Sequence, residues 1–191
     1  MTKLIAIPER FIVTDEQFEQ LALANQELLL ETTSEGVLVV MPPTGGNTGR
    51  KNSDITAQLH IWNKKTKLGY TFDSSTLFVL PSGAKRSPDA SWVEKSRWSA
   101  LTKEQQKTFP PLCPDFVIEL KSPSDSLKTL QSKMKEYIDN GAKLGWLIVP
   151  DNKTIYVYKA DASIQTLSDL VVISAGNILP GFELDLTDIF D

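Results

Sequence analysis

One cysteine, Cys113, and one histidine, His60, are present among 191 residues, which excludes an internal disulfide and a Cys/His zinc centre of ordinary composition. Cys113 lies between Leu112 and Pro114 with no base beside it, so a thiol nucleophile is not expected. No G-x-S-x-G elbow occurs, and the Gly-rich "PTGGNTGR" lacks the Lys-Ser/Thr of a P-loop. Zinc-finger, helix-turn-helix and basic-arm signatures are missing too, so no target specificity can be read. No apolar run approaches the roughly eighteen residues that span a bilayer, and "MTKLIAIPERF" is polar at its start. A cytoplasmic protein without a membrane partner is expected. With no long Gly/Pro-rich or charge-block linker, residues 1–191 are expected to form one domain with a real core.

The net charge of -4 argues against a wholesale polyanion binder, but it is unevenly spread. Residues 50–150 carry sixteen Lys or Arg against ten Asp or Glu, whereas each flanking segment carries two against seven. The central excess would attract phosphates mildly, but on charge alone lysines on solvated helix faces are the preferred explanation.

Hydrophobic periodicity predicts the elements. "TDEQFEQLALANQ" reads as a capped helix with Phe18, Leu21 and Leu28 in helical steps. "EGVLVVMPP" reads as a strand. A second helix carries Ile55, Leu59 and Trp62 on one face, with His60 at its margin. Strands are predicted at about 69–73, 76–80 and 87–93, then a loose helical stretch with Trp98 and Leu101. In "SDSLKTLQSKMKEYIDNGAK", Leu127, Leu130, Met134, Tyr137 and Ile138 form the stripe of an amphipathic helix stopped by Gly141. "LGWLIVPDNKTIYVYK" is a hairpin turning at "PDNK", and "PGFELDLTDIF" a weaker strand with a terminal cap. The order implies an α+β type of α/β fold: a mixed central sheet flanked by helices.

Between the third strand and the amphipathic helix lies "PDFVIELKSPSD", an apolar strand carrying an acid and a base two residues apart. Alternation puts Asp115, Val117, Glu119 and Lys121 on one face and Phe116, Ile118 and Leu120 on the other, which predicts one core face and one chemical face. Glu119 and Lys121 would stand about 6.6 Å apart along the strand, while Asp115 is about 13 Å back from Glu119, too far to share a small ion. The second carboxylate has to come from another strand, and Asp89 in "KRSPDASWV", on the face of Ser87, Ser91 and Val93, is the candidate. Two converging carboxylates and a backbone carbonyl suit Mg²⁺ or Mn²⁺. Lys121 could then orient a water and offset charge growing on a phosphate. The bland alternatives are a solvated Glu119–Lys121 ion pair and an Asp89 that only shapes a turn after Pro88.

Asp89 in "SPD", the strand ending in "ELK" and the helix with "KMKEY" together resemble the PD-(D/E)xK nuclease superfamily. The fuller set, "LETTSEGVLVVMPPTGG", "SPDASWV", "PDFVIELKSPSD", "KMKEYIDNGAKLGWLIVPDN" and "IYVYK", is similar to a bacterial family of unknown function described as putative restriction endonucleases, over roughly residues 15–160. The resemblance implies a restriction-endonuclease-like fold and a Mg- or Mn-dependent endonuclease acting on DNA. It implies an active triad of Asp89, Glu119 and Lys121, with Asp89 and Glu119 binding the metal and Glu31 as a further carboxylate. Related nucleases carry Gln and, four residues on, Tyr on the helix after the motif; here Lys133 stands at the Gln position ahead of Tyr137. From the residues alone, Tyr137 reads as a core residue with a wet hydroxyl, and Glu31 reads as readily as a solvated acid as a site carboxylate. A homodimer is expected because cutting both strands calls for two active sites. The alternative is an idle module of the same fold that binds nucleic acid or a protein; a small-ligand site at the hairpin and Trp146 has no polar constellation behind it.

Overall fold

Strand β7 (Phe116–Leu120) is buried at every position and runs through the middle of a six-stranded sheet. The computed structural model describes residue 8 and residues 10–191; most of the N-terminal segment read above lies outside them. Ahead of β7 come α1 (Asp15–Ala24), β1 (Leu29–Thr32), β2 (Leu38–Met41), α2 (Gly46–Thr66), β3 (Gly69–Asp73), β4 (Phe78–Val79), β5 (Lys85–Arg86), β6 (Ala90–Glu94), α3 (Lys95–Ala100) and α4 (Lys103–Lys107). After it come α5 (Leu127–Asp139), β8 (Leu144–Val149), β9 (Thr154–Lys159), β10 (Ile164–Ser168), β11 (Val172–Ser174) and β12 (Glu183–Asp185).

The large sheet has the order β10-β9-β8-β7-β6-β3. Only β7 and β8 pair in parallel, as the α5 crossover between them requires, with Glu119 opposite Leu147. The other neighbours are antiparallel, so the sheet is mixed and flanked by helices, as expected. Against one face, Ile55, Leu59 and Trp62 of α2 pack on Trp92, Phe116, Ile118 and Trp146, and Phe182, Leu184 and Ile189 close this layer. Trp146 is fully buried and stacks on Phe182 at 6.0 Å. Against the other face, Met134 and Tyr137 of α5 pack on Val117 and Leu147. Both faces of β7 are therefore core; the division into an apolar and a chemical face holds only at its C-terminal end.

A smaller four-stranded sheet, β2-β1-β5-β4, lies beside it, with α1 packed through Phe18 on Leu30, Leu38 and Leu77. The capping box of α1 forms between Thr14 and Gln17, but the helix ends at Ala24, because Asn25 donates its side-chain amide to the Leu21 carbonyl. Leu28 therefore lies outside the helix and is exposed. The strand expected at 87–93 begins only at Ala90, as β6, and Lys85–Arg86 ahead of it form a separate strand, β5, in the smaller sheet, since Ser87 and Pro88 pass between the two. The loose stretch near Trp98 resolves into α3 and α4, and β10 forms an edge strand that its exposed, polar pattern did not signal. Gly141, at φ +102°, follows the last turn of α5 as expected. Among the described residues no helix is long and apolar enough to cross a membrane.

Candidate active site

Asp89 lies at the bend just before β6, and that bend aims it at the C-terminal end of β7. Its Oδ2 accepts from the Leu120 amide at 2.8 Å, on the residue between Glu119 and Lys121. Its Oδ1 accepts from Asn52 Nδ2 of α2 at 2.9 Å. The two motifs thus meet through the backbone and are not separated by packed hydrocarbon.

Glu119 is 4% exposed, so it is no solvated acid. Its Oε1 takes two contacts, the Tyr137 hydroxyl and Lys133 Nζ, both at 2.9 Å. Its Oε2 has no side-chain partner among the described residues. Burial raises its carboxyl from 4.5 to about 7; Lys133 opposes that shift, and the negative charges of Asp89 and Glu31 add to it. Burial likewise raises Asp89, which the Leu120 amide, Lys133 and Asn52 only partly offset.

Glu31, brought in by β1, is buried as well. Its Oε1 accepts from Lys133 Nζ at 2.9 Å and from the Ser87 amide at 2.8 Å, and its Oε2 accepts from Arg86 at 3.1 Å. Burial alone would raise it, but Lys133 and Arg86 hold it below the ordinary range. Arg86 also bonds Glu136 of α5 at 2.6 Å. Lys133 therefore bridges Glu31 and Glu119; burial pushes its ammonium down, and the two carboxylates push it further up, so it stays charged. Tyr137 is fully buried, and its hydroxyl is dry and committed to Glu119, not wet.

Lys121 differs from the expected arrangement. It follows β7, its Nζ donates to the Ser122 carbonyl at 3.0 Å, and it stands 3.7 Å from Asp151 on the "PDNK" turn. No described contact joins it to Glu119, whose ammonium partner is Lys133. Asp115, at the other end of β7, belongs to a separate buried cluster with Arg97, Lys143 and the Glu94 amide. Cys113 is buried and its thiol is pushed up to about 12, chiefly by that burial. His60 is exposed and meets Thr71 at 2.9 Å.

The donors fit a hard divalent cation. Asp89 is held by two N–H groups and by no cation of its own, Glu119 keeps one oxygen unclaimed, and Asn52 Oδ1 is buried without a partner among the described residues. Two buried carboxylates whose proton affinity is raised by burial would both be relieved by a 2+ charge. Among the described residues no group of three His, Cys, Asp or Glu could cage an ion, so water or substrate would have to complete the shell, as magnesium tolerates.

A family model described as Uma2, putative restriction endonuclease, matches residues 15–187. The chain belongs to the Uma2 family. A crystal structure of a putative nuclease belonging to DUF820 from Anabaena variabilis ATCC 29413 is similar to it, with a TM-score of 0.77 at 21% identity, covering 93% of this chain and 97% of that one. At that identity the likeness is one of fold. No curated protein matches the chain. The Uma2 membership agrees with the resemblance carried by "SPD", "ELK" and "KMKEY". Sequence reasoning missed Asn52, Arg86, Glu136 and the Ser87 amide as neighbours of this Uma2 site. The only signal available was "KR" just ahead of "SPD"; Asn52 falls at helical spacing ahead of Ile55, Leu59 and Trp62, and a half-buried polar residue at the start of an apolar stripe carries no signature of its own.

Proposed function

We propose that the protein is a metal-dependent DNA endonuclease in which Asp89 and Glu119 hold Mg²⁺ or Mn²⁺ and Lys121 assists the attacking water. The observation that carries this is the docking of Asp89 Oδ2 on the Leu120 amide, which sets a second carboxylate at the "ELK" end of β7. When bound, the cation supplies Lewis-acid polarisation of the phosphodiester and a lowered pKa for the attacking water.

The remaining work falls to side chains. Tyr137 and Lys133 hold Glu119 through Oε1, which would leave Oε2 to hold the cation. Glu31 keeps Lys133 charged and in register, and Arg86 anchors Glu31 in turn. Glu119, whose carboxyl burial raises to about 7, would have to be deprotonated to hold the cation. Lys121 leaves the Ser122 carbonyl and Asp151, and its four-carbon stem carries the ammonium to the water that attacks phosphorus. There it offsets negative charge as the bond from the water oxygen forms and the bond to the leaving oxygen breaks. Residues 1–191 act as one domain, in the cytoplasm, and a homodimer brings one site to each DNA strand.

The engaged state of Lys121 also favours a second reading, in which the fold binds nucleic acid or a protein without cleaving. Nicking of supercoiled plasmid in Mg²⁺ or Mn²⁺ separates the two. Cleavage by the natural protein and its loss in Lys121→Ala are expected. Equal cleavage by both removes the role of Lys121, and DNA binding without cleavage by the natural protein favours the second reading.

A further inference from the structure

Asp89 is gripped from two sides, by the Leu120 amide on β7 and by Asn52 on α2. Asn52 is the one side chain among the described residues that hydrogen-bonds Asp89, because the neighbouring ammonium, Lys133, is committed to Glu31 and Glu119. A carboxylate offers no hydrogen, so Asn52 must turn its Nδ2 toward Asp89, and this fixes where its Oδ1 lies. That oxygen is buried, and no described group donates to it. Buried acceptors nearly always have a donor. Among the described residues none supplies that donor, and a bound water is the group that would.

The geometry points to Asn52 as a positioning residue of the metal site: its Nδ2–H fixes Asp89 in the orientation that presents it to the cation, and its Oδ1 receives a water that arrives with the cation. This rests on the metal-dependent reading above. The residue type suits the task. Lysine has no acceptor, aspartate would add a third negative charge beside Asp89 and Glu119, and asparagine carries one donor and one acceptor on a short stem. Partners of this kind, which orient a ligating carboxylate, change metal affinity by about 10- to 100-fold when removed.

The test is a titration of the full chain with Mn²⁺, followed by the electron paramagnetic resonance signal of free ion, with thermal unfolding of the metal-free protein alongside. Asn52→Leu keeps the branched shape and deletes both polar atoms; Asn52→His keeps an N–H at comparable reach. Asn52→Leu is expected to weaken the Mn²⁺ Kd about 10- to 100-fold while the metal-free protein still unfolds cooperatively, and Asn52→His to stay within about threefold of the natural Kd. A natural Kd in folded Asn52→Leu overturns the proposal. So does a folded Asn52→His whose Kd is weakened about 10-fold or more, which keeps the test decisive should Asn52→Leu not fold. If the natural protein itself binds no Mn²⁺, the metal-dependent reading fails and Asn52 loses its role with it; a natural protein that binds while Asn52→Leu is unaffected overturns the inference alone.

Discussion

Burial raises Glu119 to about 7, and the charges of Asp89 and Glu31 add to that effect, so the folded protein holds this proton more tightly than the unfolded chain does. Below pH 4.5 both states carry it; between 4.5 and 7 only the folded state does, and stability falls as pH rises through that window. The full shift corresponds to about 3 kcal/mol. Denaturant unfolding of the metal-free natural protein should therefore lose up to about 3 kcal/mol more than Glu119→Gln between pH 4.5 and 7; parallel pH profiles would contradict this. Lys133 sits between two buried carboxylates, and removing it leaves both without their ammonium. Lys133→Met is expected to cost about 3–5 kcal/mol by urea unfolding, far more than a surface lysine would. Asp89 and Glu119 could be singled out from sequence, because strand alternation and a Pro-Asp bend are local. The role of Lys133 depends on Glu31, one hundred residues away on another sheet, and no local pattern reports that ion pair.

Helix α5 connects the parallel pair and covers one face of the sheet, which demands close approach where it crosses β8. A Cβ at Gly145 would meet the flexible end of Met134 and, less closely, a Val117 methyl at 3.3 Å, whereas at Gly69 it would meet the Val93 carbonyl of the paired strand and the Trp92 ring. Gly69→Ala is expected to cost about 3 kcal/mol and Gly145→Ala about 1 kcal/mol, read from denaturant midpoints; the reverse order would contradict the packing described. The amphipathic stripe of α5, the Ile55, Leu59 and Trp62 face of α2 and the β8–β9 hairpin were all legible, since each is long and strongly periodic. The element around Asp89 was not resolved as well: "KRSPDASWV" contains two short strands in two different sheets, and a strand of two residues has no period to detect.

At the scale of the molecule, the two sheets bring three carboxylates to one corner, Glu31 from β1 of the smaller sheet, Asp89 from the bend before β6 and Glu119 from the end of β7 of the mixed sheet, with α2 and α5 supplying Asn52, Lys133 and Tyr137. The α+β architecture was readable from element order, but the burial of both faces of β7 was not, because alternation at its end suggested an open face. A cation binding only the folded state stabilises it, and competition with the Glu119 proton makes this effect grow with pH. Added Mn²⁺ should raise the unfolding temperature more at pH 8 than at pH 6 in thermal scans, and an equal rise at both would contradict proton competition. The most direct measurement is anomalous diffraction from crystals soaked in Mn²⁺. A single manganese peak within about 2.5 Å of one oxygen from each of Asp89 and Glu119 is expected; a soaked crystal with no peak there, and with Lys133 still the only charge on Glu119, would contradict it.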